Sequence, residues 1–415
     1  MQDVQYLIIG GGVCGVTAAE SIRRLKPDAR IVVLSAERHP LYSRVLLPHL
    51  VKGKVPRERV FLRTEAQLSA KQIEMVYGAR AIRLDPAAHE IETVDGETYR
   101  YQKLLLATGG DVLSLGVPGD DLAGIVPLRT VEDADTIIAE LSSDSSSERS
   151  AAVVGGGFLG LEFPPFFEKY GYTTHLVIRG PRYWWRVLDE EASGLIEQTM
   201  REHGVVIHAG TELVACEGEG HVRAIQLSDG TRVPVSFVGY GVGIAGAPSW
   251  VTAAGIAGGT NGIVVDEHLR TNVPDVWAAG DGASFFDTTV QRSHRLGNWL
   301  NAQEHGRYAG DAMVGAVTEP FHHVSAYATQ IFGLNISFIG DLTESDDSIW
   351  ISRGSAVEKK IARFHLRNNI VVGAALFNVM IDRATITMLI KDRVSVEGRH
   401  ATLRDPSIDL KTLLG

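Results

Sequence analysis

The chain has 415 residues, 45% of them hydrophobic and 22% charged, with a formal net charge of −10. That length exceeds one ordinary domain and predicts two or three. The acidic balance disfavours nucleic acid or an anionic membrane as the main partner, and no apolar run approaches the ~18 residues that a membrane span needs.

In chain order, the first signal is LIIGGGVCGV, where the apolar run Val4–Ile9 ends at Gly10 and the triplet Gly10, Gly12 and Gly15 fits G-x-G-x-x-G. The run starts without a basic region or a cleavage-like site, so a cytoplasmic location is expected. Val16, Ala19, Ile22 and Leu25 then recur at helical spacing until Pro27. A second strand, ARIVVLSAE, ends near Glu37. This is the strand, loop, helix, strand and acid order of a dinucleotide cradle. The glycines let the backbone approach a pyrophosphate, the helix N-terminus presents N–H groups, and the carboxylate accepts from ribose hydroxyls.

The polar stretch ELSSDSSSERS, residues 140–150, reads as an exposed loop leading into a second copy of the pattern. There AAVVGGGFLGLEF supplies Gly155, Gly157 and Gly160, and TTHLVI the following strand. Two cradles imply two dinucleotides, since a mere tight turn does not account for both. The second strand ends in Ile178-Arg179 rather than an acid, with Arg182 and Arg186 beyond. An arginine there pairs with a 2′-phosphate, which favours NADPH over NADH; solvated surface arginines remain the alternative. Pro164 and Pro165 fall inside the expected helix and predict a kink or a late start.

Near residue 263 comes GIVVDEHLRTNVPDVWAAGDGA, a paired-strand pattern and then a short apolar strand that ends on Asp281. With LLLATGG (Ala107, Thr108, Gly109) and the two cradles, the chain resembles the FAD-dependent pyridine-nucleotide oxidoreductases almost end to end. The tail segments FHHVSAYATQIFGLNISFIGD, ARFHLRNNIVVGAALFNVMIDRATITMLI and DPSIDLKTLL resemble the C-terminal domain of its ferredoxin and rubredoxin reductase branch, with an Asn368-Asn369 turn between strands of a mixed sheet. The resemblance implies an α/β fold: two Rossmann-like dinucleotide-binding domains for FAD and NAD(P), the second inserted in the first, and a C-terminal α+β domain. The boundaries expected are 1–112 with 245–318 for FAD, 113–244 for NAD(P) and 319–415 for the C-terminal domain.

It also implies site residues. Gly10, Gly12, Gly15, Glu37, Arg44, Ala107, Thr108, Gly109, Gly280 and Asp281 would hold FAD, with Asp281 on the ribityl chain. Gly155, Gly157, Gly160, Arg179, Arg182, Gly241 and Gly243 would serve the nicotinamide nucleotide. Arg38, Ala79 and Arg129 are assigned to cofactor binding as well. Trp299 would lie near the isoalloxazine, although an ordinary core aromatic is equally compatible. In LYSRVLLPHL, Val45 stands where a proline is usual, and His49 where a lysine commonly pairs with a glutamate matching Glu162. His49 and Glu162 are therefore the candidate catalytic pair, and their pairing would shift with pH near neutrality; a solvated histidine is the alternative.

Disulfide-, peroxide- and oxygen-reducing branches need a cysteine in the segment occupied by Tyr42–Leu50, and none stands there. Cys14 sits at a helix N-terminus, which lowers a thiol pKa, yet the pyrophosphate would cover it, so a half-buried packing role is expected. Cys216 has no cysteine near it in sequence. Without a thiol relay, electrons would pass from NAD(P)H to FAD and on to a small iron–sulfur carrier of ferredoxin or rubredoxin type. An NAD(P)H oxidase, a nitrite-reductase-associated flavoprotein and a redox sensor resembling apoptosis-inducing factor are the alternatives. No metal is assigned to His322-His323, RYWWR (182–186) reads as core packing before docking patch or lid, and IDLKTLLG is too short for a membrane anchor. A monomer or homodimer is expected.

Overall fold

The computed structural model describes residues 1–144, 149–379 and 382–414. Two compact units emerge, each gathered from separate stretches: residues 1–43, 57–111 and 244–323 in the first, and 44–56, 112–243 and 324–415 in the second.

The first unit is built on a sheet whose parallel part runs Ile73–Tyr77, Ile31–Ser35, Gln2–Ile9 and Thr98–Leu106, with Val276–Ala278 also pairing to the last. The strand IVVLS is buried at every position, as expected where helices or loops cover both faces of a parallel sheet. Glu90–Thr93 and Ala81–Asp85 extend the sheet in antiparallel fashion. The first cradle helix, Val13–Leu25, buries Cys14, Val16, Ala18, Ala19 and Ile22, and carries Arg23 and Arg24 in its last turn, where cations favour the helix dipole. A long helix, Trp299–Met313, crosses it closely, its first turn capped by the Asn298 side chain. A Cβ on Gly306 would lie 2.2 Å from the Cys14 carbonyl oxygen, so only glycine permits this crossing.

In the second unit, a five-stranded parallel sheet runs Val206–Ala209, Thr173–Ile178, Ser150–Val154, Phe237–Tyr240 and Ile125–Pro127. Helix Val131–Ser143 precedes Ser150–Val154 and starts in a capping box of Thr130 and Asp133. Of the polar loop expected between them, residues 145–148 lie outside the described residues. The second cradle helix, Leu159–Lys169, runs through Pro164 and Pro165 without losing helical conformation. Its start follows Gly157 by one residue more than Val13 follows Gly12, so the late start amounts to a single position.

The C-terminal sheet orders Ala326–Ile331, Leu334–Gly340, Ile370–Phe377, Lys360–Arg367 and Ser348–Ser355. Every pairing is antiparallel, which corrects the expected mixed sheet. Asn368 and Asn369 both take positive φ (49° and 59°), the conformation that a two-residue hairpin turn requires and asparagine tolerates. Its tail is tied by Arg353, 7% exposed, which donates to the carbonyls of Asp405 and Ile408, each at 2.6 Å.

Candidate functional site: two glycine cradles

In the first cradle the three glycines do different work. Gly10 adopts φ +123°, and a Cβ there would sit 2.1 Å from the Ala107 carbonyl oxygen; one on Gly15 would sit 2.0 Å from that of Gly10. Both are glycine because backbone meets backbone. Gly12 differs: nothing lies within 4 Å of its would-be Cβ, and it caps the helix whose first N–H groups lack intrahelical partners. The space beside it suits a pyrophosphate.

Around this space the other expected residues gather. Thr108, in the ATG turn, has a buried hydroxyl with no hydrogen-bond partner among the described residues, as suits a polar ligand. Gly109 has φ +63°, and a Cβ on Gly282 would approach its carbonyl oxygen to 2.6 Å, so the ATG and GD turns abut. Asp281 is half-buried between Gly280 and Gly282. Glu37, at the end of its strand, accepts from the Tyr42 hydroxyl at 2.5 Å, and its carbonyl takes the Gly78 N–H at 3.2 Å, which brings buried Ala79 alongside. Arg38 is exposed. Trp299 is half-buried and lines a cleft of about 490 Å³ with Val13, Thr17, Leu62, Gln303 and Arg307. These residues all belong to the first unit. Arg44 and Arg129 belong to the second, where the Arg44 guanidinium donates to the Arg129 carbonyl.

The second cradle repeats the arrangement. Gly155 has φ +125° with a Cβ position 2.4 Å from the Gly241 carbonyl oxygen, Gly160 would approach that of Gly155 to 2.5 Å, and Gly157 faces open space. Gly241 lies under Leu159, 2.8 Å from a Cβ there, and Gly243 has φ +119°. Beneath the cradle is Tyr183, fully buried, whose hydroxyl donates to the Gly157 carbonyl; the core packing expected of RYWWR holds for Tyr183, whereas Trp184 is half-buried and Trp185 exposed. Trp184 packs on Phe158 and Phe338 at 5.1 and 4.8 Å between ring centroids.

The three arginines beyond strand Thr173–Ile178 part company. Arg182 folds back onto its own loop, donating to the Leu188 carbonyl at 3.1 Å. Arg179 is exposed and makes no hydrogen bond or ion pair among the described residues. Arg186 is exposed too, its guanidinium 4.9 Å over the Trp185 ring, and that indole lies against Gly180, where a Cβ would come within 2.0 Å of it.

His49 and Glu162 do not form the expected pair. The Glu162 carboxylate instead takes an ion pair from Lys52 at 3.1 Å and a hydrogen bond from the Thr329 hydroxyl at 3.1 Å. His49 lies one turn earlier on helix Leu47–Val51. Burial and the neighbouring Lys52 charge push its pKa below the usual histidine range, against the pull of Glu162. The signal that sequence reasoning lacked was register: a lysine three residues on reaches the same carboxylate.

Cys14 is buried against Gly280 and Gly306, and burial, with Asp281 adding to it, pushes its thiol far above the ordinary range. Burial and Asp120 push Cys216 up to about 11. Both are free thiols and packing groups. Among the described residues, no cluster of three or more His, Cys, Asp or Glu side chains could hold a metal ion, and no helix is long and apolar enough to cross a membrane.

With the cradles in place, comparison with known proteins is decisive. The pyridine nucleotide-disulphide oxidoreductase family model matches residues 4–306, and a reductase C-terminal model matches residues 329–414. The chain belongs to the pyridine nucleotide-disulphide oxidoreductase family. It is 31% identical over 420 residues to the 5,5'-dehydrodivanillate O-demethylase ferredoxin reductase subunit of Sphingobium sp. (strain NBRC 103272 / SYK-6), covering 100% of this chain and 99% of the relative. It is 31% identical over 408 residues to the biphenyl dioxygenase system ferredoxin–NAD(+) reductase component of Paraburkholderia xenovorans (strain LB400), covering 98% and 97%. Among solved structures, the reductase of the covalent putidaredoxin reductase–putidaredoxin complex superposes with a TM-score of 0.92 at 27% identity, covering 100% of this chain and 99% of the other. Despite the family's name, Cys14 and Cys216 are free thiols, both buried.

Proposed function

We propose that this protein passes electrons from NAD(P)H through FAD to a small iron–sulfur carrier of ferredoxin type. The observation that carries this reading is the pair of cradles with their middle glycines facing open space, in a chain whose only two thiols are buried packing groups. FAD, when bound, accepts a hydride and returns electrons one at a time, which a nicotinamide does not do readily. The chain's own work is positional. Gly10, Gly12, Gly15, Thr108, Gly109 and Gly280 shape a close-fitting seat for FAD, Glu37 and Asp281 present carboxylates to its hydroxyls, and Trp299 lines the adjoining cleft. The Glu162 carboxylate, on the second cradle helix, is paired with Lys52 rather than with His49. No general acid or base is required, so the absence of a nucleophile motif agrees with this chemistry.

Residues 1–112 and 245–318 are assigned to FAD, 113–244 to the nicotinamide nucleotide and 319–415 to the reductase-type closing domain; the first compact unit supports the FAD assignment apart from residues 44–56. NADPH is the favoured donor, because Arg179 and Arg186 are exposed cations past the end of the second-cradle strand, where a 2′-phosphate would lie. A cytoplasmic setting belongs to the same reading. The deciding experiment is anaerobic stopped-flow reduction of the purified holoprotein by each nucleotide, followed by cytochrome c reduction with and without added [2Fe–2S] ferredoxin. Flavin bleaching by NADPH and strict dependence of cytochrome c reduction on the carrier are expected. Rapid nucleotide consumption with air alone would assign the protein to the oxidases instead.

A further inference from the structure

The GD turn raises a question that its glycines do not answer: what fixes its backbone? Gly280 opens a short 3-10 segment, Gly280–Gly282, that has no side-chain cap from Ala279. The first N–H groups of such a segment need acceptors from elsewhere. Ala279 donates to the Leu106 carbonyl at 3.1 Å, within the sheet. The next amide, that of Gly280, donates to an imidazole: Nδ1 of His305, at 3.2 Å.

His305 lies on the buried face of helix Trp299–Met313 and has no exposed surface. Phe285 and Phe321 stand perpendicular to its ring, each with a centroid separation of 4.5 Å, and to each other at 5.7 Å, so the ring sits in an edge-to-face cluster that limits its rotation. Because Nδ1 accepts, the neutral ring carries its proton on Nε2, an atom that is buried and has no hydrogen-bond partner among the described residues. Burying that donor is costly, and a phenylalanine would fill the same space more cheaply if packing were the only requirement. Burial, with the His323 charge, holds the ring's pKa at about 3, so it stays an acceptor at neutral pH.

Two other contacts make the turn sensitive to this bond. A Cβ on Gly280 would meet Cys14 at 3.1 Å, so one side is closed by the first cradle helix. On the other side, Gly282 presses on Gly109. Asp281 is carried between these two points, and a shift at the Gly280 amide re-aims it.

We infer that His305 is a positioning residue of the flavin seat: its neutral imidazole holds the Gly280 amide and thereby aims Asp281 at the ribityl chain. The inference rests on the FAD reading above. It assigns a functional reason to a buried imidazole on a helix face whose other buried positions are Asn301, alanines, glycines and Met313.

The test compares His305→Phe, which keeps a ring and removes the acceptor, with His305→Asn, which restores an acceptor on a smaller side chain. Apoprotein of each is titrated with FAD, following flavin fluorescence, and hydrogen exchange is measured on a peptide spanning residues 277–283. The Phe variant is expected to bind FAD at least about tenfold more weakly and to exchange faster in that peptide, with the Asn variant recovering much of both. Wild-type affinity and protection in the Phe variant would overturn the inference. So would an Asn variant as impaired as the Phe variant while both melt like wild type, since volume rather than the acceptor would then matter. If wild-type protein itself fails to bind FAD, the functional reading falls, which is a separate outcome.

Discussion

The two cradles share one backbone design and differ in what surrounds it. In both, the first and third glycines are demanded by carbonyl oxygens 2.0–2.5 Å from a Cβ, and the middle glycine borders open space. The first cradle is finished in half-buried or buried, internally bonded groups: Glu37 tied to Tyr42, the GD turn tied to His305, and a helix clamped by Gly306. The second ends in exposed arginines and rests on aromatic rings, with Tyr183 under its loop. Rigid, enclosed polar groups suit a cofactor that stays; exposed cations suit one that comes and goes, since they attract a charged ligand without a large desolvation cost.

The sharpest way to break that contrast is to fill each open space. Gly12→Val should leave the fold intact and abolish flavin retention, so purified protein is colourless and activity falls by at least about a hundredfold. Gly157→Val should remain yellow yet lose reduction by NADPH to a similar degree in stopped flow. Gly10→Val, by contrast, should lose flavin and also melt early, because its Cβ meets backbone and its φ is positive. A colourless Gly157 variant would mean that the assignments of the two cradles are exchanged.

Acid should act through the first cradle. His305 has a folded pKa of about 3, below its unfolded value, so the native state refuses a proton that the unfolded chain accepts. Stability is therefore complete above pH ~6.5 and falls by about 1.4 kcal/mol per pH unit as pH drops toward ~3. The groups that share its surroundings are His323, Asp287 and His294, of which Asp287 alone opposes the trend. Urea midpoints between pH 7 and 5 read this directly, and His305→Asn should flatten the slope.

A smaller effect separates the nucleotides. Arg179→Glu should lower the NADPH to NADH ratio of kcat/KM by roughly tenfold or more, while Arg182→Ala should disturb stability more than preference. Smallest is the ion pair. Lys52→Met should destabilise by about 1–2 kcal/mol in urea unfolding, because it leaves a largely buried Glu162 carboxylate unpaired. His49→Ala should cost less. The reverse order would restore His49 as the partner.

The backbone of both cradles was legible because glycine spacing answers to backbone collisions, which depend only on local chain path. Cys14 was legible only in part: a half-buried packing role was expected, but the residue is buried, under Gly280 and Gly306 of distant chain segments that glycine spacing does not reveal. Side-chain partnerships across the fold were not. Lys52 displaces His49 because the short helix Leu47–Val51 ends just before it, a register that spacing alone does not give. Arg179 and Arg182 look alike in sequence, and only the turn of the 182–188 loop separates the outward one from the one folded back. His305 carried one faint mark, a histidine on a helix face whose other buried positions are mostly alanine and glycine.

Residues 44–56 pack with the second unit although both neighbouring stretches of chain belong to the first. A chimera made by exchanging residues 112–243 for a relative's nucleotide module would consequently strand Arg44 and Lys52 opposite foreign partners. Grafts meant to change donor preference need to carry that short detour along with the obvious insert.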